Sequence, residues 1–230
     1  MTKVVQSEQV GNPLMSKDVV VAIDGPAGAG KSTVAKALAN ALKLKYLDTG
    51  AMFRAVTSLV LSSGSDAHDE AAVGLLAENM NLVMENGSVI ANGTDVTIDI
   101  RSFAVTSAVS TVAANSLVRA NMRDRQREWS DLNNGGVIEG RDIGTVVFPD
   151  AVLKVYLTAS PRVRAERRVA EAGGNIDEIE RSIAERDLKD STRADSPLQE
   201  SADSVVVDTS NRTIDEIVNS IVELVRERLR

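Results

Sequence analysis

A three-layer α/β fold with about five parallel strands is the architecture this 230-residue chain predicts, and three features of the sequence carry that reading. First, Val19-Val20-Val21-Ala22-Ile23 is an unbroken apolar run, the pattern of a strand covered on both faces, and it stops at Asp24-Gly25. Second, beyond a glycine-rich stretch, Val34, Leu38, Ala41 and Leu42 recur at helical spacing, which predicts a helix from Lys31 to about Lys43. Third, four further apolar runs, Lys45 to Leu47, Val137 to Ile138, Val152 to Leu157 and Val205 to Val207, are mostly separated by helical patterns that can cover both faces of a sheet.

The last helix is the clearest. Thr213 and Glu216 have capping-box spacing, Ile217, Ile221, Val225 and Leu229 line one face, and Arg226, Arg228 and Arg230 suit the negative end of the helix dipole. One segment departs from the alternation: between Leu82 and Asp99, Asn86-Gly87 and Asn92-Gly93 separate three short runs as type I′ turns separate antiparallel strands, predicting a small three-stranded insertion. Gly173-Gly174 punctuates two arginine-rich helices and can serve as the bend of a flap. We read a leader over residues 1–17 and a single domain over 18–230.

Composition removes several classes of function. Hydrophobic residues make up 43% of the chain and aromatic ones 3%, so the core is aliphatic and there is little to stack on nucleic-acid bases. Acidic residues outnumber basic ones, 33 to 26, and a net charge of −7 argues against non-specific binding to nucleic acid or anionic membrane. No cysteine is present, which excludes thiolate chemistry and disulfides, and no apolar run approaches the length of a membrane span. These features predict a cytoplasmic protein, and the lack of a long apolar stripe outside the expected core predicts a monomer.

Between the first strand and the first helix, Gly25-Pro26-Ala27-Gly28-Ala29-Gly30-Lys31-Ser32 matches GxxxxGK[ST], the phosphate loop of P-loop nucleotide-binding folds. Its position supplies the mechanism: backbone N–H groups and a helix N-terminus surround phosphate, Lys31 reaches the β and γ groups of ATP, and the Ser32 hydroxyl ligates Mg²⁺. Thr33 adds a hydroxyl near the α-phosphate. The chain lacks the guanine-reading [NT]KxD motif, which counts against a GTPase.

Despite the acidic balance, arginines gather at Arg54; at Arg119, Arg123 and Arg127; at Arg162, Arg164, Arg167 and Arg168; and at Arg181, Arg186 and Arg193. Arg119, Arg123 and Arg127 share a helix face, as do Arg186, Asp190 and Arg193, so helices can aim several cations at one cleft. Taken singly, each arginine reads better as a solvated side chain or an i,i+4 partner of Asp124, Glu128, Glu166 or Glu185, and the set is more persuasive than its members. Arg141 and Asp142 follow strand material and fall at the carboxyl edge of a parallel sheet, where such sheets bind ligands.

The segments Asp24-Gly-Pro-Ala-Gly-Ala-Gly-Lys-Ser32, Asp48-Thr-Gly-Ala-Met-Phe-Arg54, Gly140-Arg-Asp-Ile-Gly-Thr-Val-Val-Phe-Pro-Asp150 and Glu185-Arg-Asp-Leu-Lys-Asp-Ser-Thr-Arg193 resemble, in order and spacing, the bacterial cytidylate kinases, a family of nucleoside monophosphate kinases. The resemblance covers about residues 18 to 229. It implies a P-loop NTPase fold with an NMP-binding insertion over 64–102 and a helical lid over 162–193, and transfer of the γ-phosphoryl group of ATP to CMP or dCMP with Mg²⁺. It also implies site roles: Lys31 and Arg186 catalytic, Thr49, Arg54, Arg141 and Arg193 around CMP and its phosphate, Asp190 on the ribose, and Ser110, Arg119 and Asp142 on the cytosine edge. Chemistry agrees with the last assignment, since a carboxylate and an arginine match the N4 amino donor and N3 acceptor of cytosine. Two departures stand out: Phe53 replaces a tyrosine frequent in the family, and Ser116 a proline before the Val-Arg pair. A kinase for UMP, AMP or a metabolite alcohol, and a nucleotide-dependent switch, are the competing readings. His68 and Trp129 read as a solvated residue and a packing residue, and Asp208 at a strand end reads as a loop cap.

Overall fold

The computed structural model describes residues 19–85 and 87–230; the leader and Asn86 of the first predicted turn lie outside them. Five strands, β1 (Val19–Asp24), β2 (Tyr46–Asp48), β6 (Gly135–Glu139), β7 (Leu153–Thr158) and β8 (Val205–Asp208), form one sheet in the order β2-β6-β1-β7-β8, every pairing parallel. Alternation along β1 divides the core between its two faces. Val20 and Ala22 join Leu47 and Ile138 under α2 (Thr49–Ser63), α3 (Glu70–Asn79) and α5 (Ser116–Asn133). Val19, Val21 and Ile23 join Val137, Leu153 and Val155 under α1 (Lys31–Leu42) and α8 (Ile214–Arg228).

Three strands begin away from where apolar runs place them. β7 starts at Leu153, one residue past Val152. β2 is shifted one residue past Lys45, and β6 starts at Gly135 because the backbone there leaves no room for side chains: a Cβ on Gly136 would stand 2.8 Å from the Trp129 ring. Trp129 is thus a packing residue, half-buried against this strand. The capping box of α8 is present, with the Thr213 hydroxyl accepting from the Glu216 amide and the Glu216 carboxylate accepting from the Thr213 amide.

The predicted insertion forms a three-stranded antiparallel sheet of β3 (Leu82–Glu85), β4 (Ser88–Ala91) and β5 (Thr94–Asp95), and Asn92 and Gly93 turn with φ of 50° and 80°. Its Val89, Ala91, Val96 and Ile100 bury into the same core as α2, so the insertion shares the main body's core. Helix α3, within residues 64–102, was not announced by the short runs. After it come α4 (Phe103–Ala114) and α5, then α6 (Pro161–Ala172) and α7 (Ile176–Thr192), which pack side by side across Gly173-Gly174. Where the family's proline is replaced by Ser116, the side chain of Asn115 caps α5 by accepting from the Leu117 and Val118 amides, so the helix starts without a proline at its first position.

Candidate active site

The carboxyl ends of β1, β2 and β6 carry Asp24, Asp48 and Glu139, and the phosphate loop leaves β1 between the two flanking strands. Gly25 has φ of 145°, and a Cβ there would fall 2.0 Å from the Leu157 carbonyl oxygen, so only glycine lets the chain turn out of the sheet at this point. Gly30 precedes α1 in a left-handed conformation and offers no side-chain cap; the first turn of α1 also holds no acid. Its N–H groups are therefore left for an anion. Ser32 and Thr33 are exposed at this end, whereas Lys31 is buried and donates from Nζ to the Pro26 carbonyl at 2.8 Å.

Three further contacts hold the loop, one at Ala29 and two at Ala27. Thr209, buried beyond β8, donates from Oγ1 to the Ala29 carbonyl at 3.1 Å, and Arg167 donates to the Thr209 hydroxyl and carbonyl at 2.9 and 2.6 Å. Ala27 is held from α6 and α7 by Arg164 and Asp187. Beneath the loop, Asp24 accepts from the Ile143 and Gly144 amides at 2.9 and 2.7 Å, fixing the π-helical turn Ile143–Val147 that follows Asp142. Burial pushes the Asp24 carboxyl up to about 6 against those two amides.

The cations converge on the space above this loop. Arg54 donates from Nη1 to the Ile100 carbonyl and the Thr106 hydroxyl, both at 2.9 Å. Arg141 donates from Nε to Asp190 at 3.0 Å; burial disfavours its charge, but Asp190, Asp187 and Glu139 more than offset that and raise its pKa. Asp142 stands between Arg119, 2.5 Å away, and Arg193, 3.6 Å away, with the Arg119 guanidinium lying over the Phe53 ring at 5.2 Å. Phe53 thus provides a stacking face without a hydroxyl. Ser110 lies one helical turn beyond Thr106 on α4, near the Ala113 carbonyl that accepts from Arg119 at 3.0 Å. Thr49 donates its hydroxyl to the Glu139 carbonyl at 2.6 Å and ties α2 to β6.

Arg186 differs from the rest: among the described residues it makes no hydrogen bond or ion pair, and its Nε is buried without a partner. Burial, with Arg141 beside it, lowers its pKa to about 10. Arg54 falls to about 10 through burial and Arg186, Arg193 to about 10 through burial and Arg119, and Lys31 to about 7 through burial and Arg141. The cluster is short of negative charge, and phosphate groups would supply it.

Not every arginine joins the cluster. Arg123 pairs with Asp195 at 3.6 Å, and Arg127 donates to the Val146 and Val147 carbonyls. Arg162 faces Asp177 and Glu180, and Arg168 pairs with Glu171. His68 is exposed, and Asp208 accepts from the Ser210 amide as a loop cap. Sequence reasoning missed Glu139, a buried acid ending the strand next to the phosphate loop. The Tyr46 hydroxyl donates to it, and burial and Asp48 raise its pKa. The signal was available: an acid closing an apolar strand immediately before Gly140-Arg141-Asp142.

A family model described as cytidylate kinase matches residues 21–227. The chain belongs to the cytidylate kinase family. It is 48% identical over 225 residues to a cytidylate kinase from Shouchella clausii (strain KSM-K16), covering 94% of this chain and all of that one. It is 46% identical over 216 residues to a cytidylate kinase from Mycobacterium leprae (strain Br4923), covering 92% and 97%. A solved structure of an uncharacterized protein from Eubacterium ventriosum ATCC 27560 superimposes with a TM-score of 0.53 at 10% identity, covering 90% of this chain and 98% of the other, which is a likeness of fold alone. The matched span of the cytidylate kinase family model takes in the phosphate loop, the three-stranded antiparallel sheet, α6, α7 and β8.

Proposed function

We propose that the protein transfers the γ-phosphoryl group of ATP to CMP, and to dCMP, giving ADP and CDP or dCDP. The observation that carries this reading is the half-buried Arg186, whose buried Nε has no partner among the described residues and whose charge is felt by Arg54, Arg141 and Lys31, a cluster suited to two phosphate-bearing ligands meeting end to end. ATP would lie along Gly25–Thr33 and CMP between Arg54, Arg141 and Arg193, with Thr49 at its edge. An oxygen of the CMP phosphate attacks the γ-phosphorus as the bond to the bridging β-oxygen breaks. That oxygen is already ionised, so the step needs alignment and positive charge rather than a general base. Lys31 and Arg186 supply the charge where it develops.

A hard cation suits the donors present: Ser32 offers an exposed hydroxyl, and Glu139 is a buried carboxylate whose charge neighbouring Asp48 opposes. Ser32 and Glu139 would hold Mg²⁺ or its water. When bound to ATP, the metal neutralises charge on the β and γ groups. Among the described residues no cluster of three or more acidic or histidine side chains forms a separate metal cage, and the nucleotide would complete the coordination. We further read one catalytic domain over 18–230, with its insertion over 64–102 and lid over 162–193, acting as a cytoplasmic monomer in pyrimidine nucleotide metabolism. Among the described residues no helix is long and apolar enough to cross a membrane.

Cytosine would sit against Asp142, Arg119 and Ser110, with the ribose on Asp190. The test is the ratio of kcat/KM for CMP to that for UMP, which does not depend on how much of a variant is folded. Asp142→Ala removes the acceptor for the N4 amino group and should reduce the ratio by about 10²-fold. An unchanged ratio would remove Asp142 from base reading.

A further inference from the structure

We propose that Asp187 is a positioning residue which, with Arg164, clamps the start of the phosphate loop to the lid helix α7 and thereby sets the place of Arg186. This rests on the reading of Arg186 as the group that meets the transferred phosphoryl. Asp187 Oδ1 accepts from the Ala27 amide at 3.1 Å, while its other oxygen pairs with the Arg164 guanidinium. Arg164 donates from Nη1 to the Ala27 carbonyl at 3.0 Å and from Nε to the Ala159 carbonyl at 3.1 Å. A Cβ on Gly28 would lie 3.1 Å from the Arg164 Cβ, so the arginine stem also backs the loop. Both polar groups of the Ala27 backbone are therefore held by side chains far away in the sequence. The ion pair has side-chain exposures of 8% for Arg164 and 20% for Asp187, which shelters it from solvent screening.

The helix explains why this clamp matters for Arg186. Arg186, Asp190 and Arg193 share one face of α7, and Asp187 lies about 100° further round, on the face that meets the loop. That second face opens on solvent. Asp187, Ala184, Leu188 and Ser191 line one side of an open groove of about 460 Å³ whose other side includes Pro26 and Tyr156, and Leu188 is largely exposed. Little apolar side chain backs this face of α7, so the Asp187–Arg164–Ala27 clamp is what ties it to the loop and, through the rigid helix, helps set the place of Arg186. A displacement of about 1 Å at a group that must meet a transition state is enough to cost roughly 10²-fold in rate.

A double-mutant cycle on kcat for CMP phosphorylation separates this role from a general loss of structure. Asp187→Ala should lower kcat by about 10²-fold while the KM for CMP changes by less than about threefold. In an Arg186→Ala background the same substitution should cost less than about threefold, because the residue it positions is gone. Asp187→Asn keeps an acceptor for the Ala27 amide and should recover at least about tenfold of the loss. Should Asp187→Ala prove insoluble, Arg164→Lys, which cannot span Ala27 and Asp187 together, carries the same cycle with the same expected coupling. Equal losses in the two backgrounds, or no loss of kcat, would overturn the proposal while leaving the kinase reading intact. A wild-type rate from Arg186→Ala alone would instead remove the reading of Arg186, and the clamp's role with it.

Discussion

Arg186→Ala is expected to lower kcat for CMP phosphorylation by about 10³-fold or more, in line with what a positioned arginine contributes to phosphoryl transfer. The structure gives the reason: its guanidinium is sunk beside Arg141 with a buried Nε that no described residue satisfies, and its charge is disfavoured until an anion arrives. Such a group gains most when charge spreads over the γ-phosphoryl, so the loss should fall on kcat, with the KM for CMP nearly unchanged. Steady-state rates over a CMP series at saturating Mg-ATP measure both. A raised KM with normal kcat would make Arg186 a ground-state binding residue.

Lys31→Met should lower kcat by about 10²- to 10³-fold, the cost of deleting one charged donor from a preorganised site. Lys31 also makes a prediction about protons. Burial and Arg141 lower its pKa to about 7, and its Nζ donates to the neutral Pro26 carbonyl. The lowered pKa leaves part of the Lys31 population neutral in the free protein above about pH 7. Bound phosphate favours the charged form and raises the pKa, so ATP binding above that pH should take up protons, and uptake should fade as pH drops below about 7. Calorimetry in buffers of different ionisation enthalpy reads this directly. Lys31→Met should abolish the uptake, and an equal uptake in that variant would place the proton elsewhere.

What could be read in the sequence followed from local rules. β1, the phosphate loop and α1 depend on an apolar run, glycines and helical spacing within Val19–Leu42, and all three are in place. The α8 capping box and the antiparallel insertion were equally local. Strand order was not, because β6 enters between β1 and β2 only after the insertion and two long helices. Gly135 and Gly136 hid the start of β6, since their small size answers to Val19 and Trp129, residues chosen by the tertiary fold.

The site divides in the same way. Contiguous motifs located Arg54, Arg141, Asp142, Asp190 and Arg193, which the fold brings around one space. Arginine spacing alone could not rank Arg164 or Arg167 above Arg162. All three sit on α6, but two turn inward to hold Ala27 and Thr209, and the third pairs with acids in solvent. Asp187 was hidden for a different reason. A carboxylate following an arginine on a polar helix reads as a solvated i,i+1 neighbour, and only the approach of the phosphate loop gives it a partner.

The acceptor that takes the γ-phosphoryl group defines this enzyme. ADP formation from Mg-ATP should be measured with CMP, dCMP, UMP, AMP, GMP and no acceptor. Turnover is expected with CMP and dCMP, far less with UMP, and almost none with purines or without an acceptor. ATP hydrolysis that ignores the acceptor, or a rate with UMP or AMP equal to that with CMP, would contradict CMP as the defining acceptor.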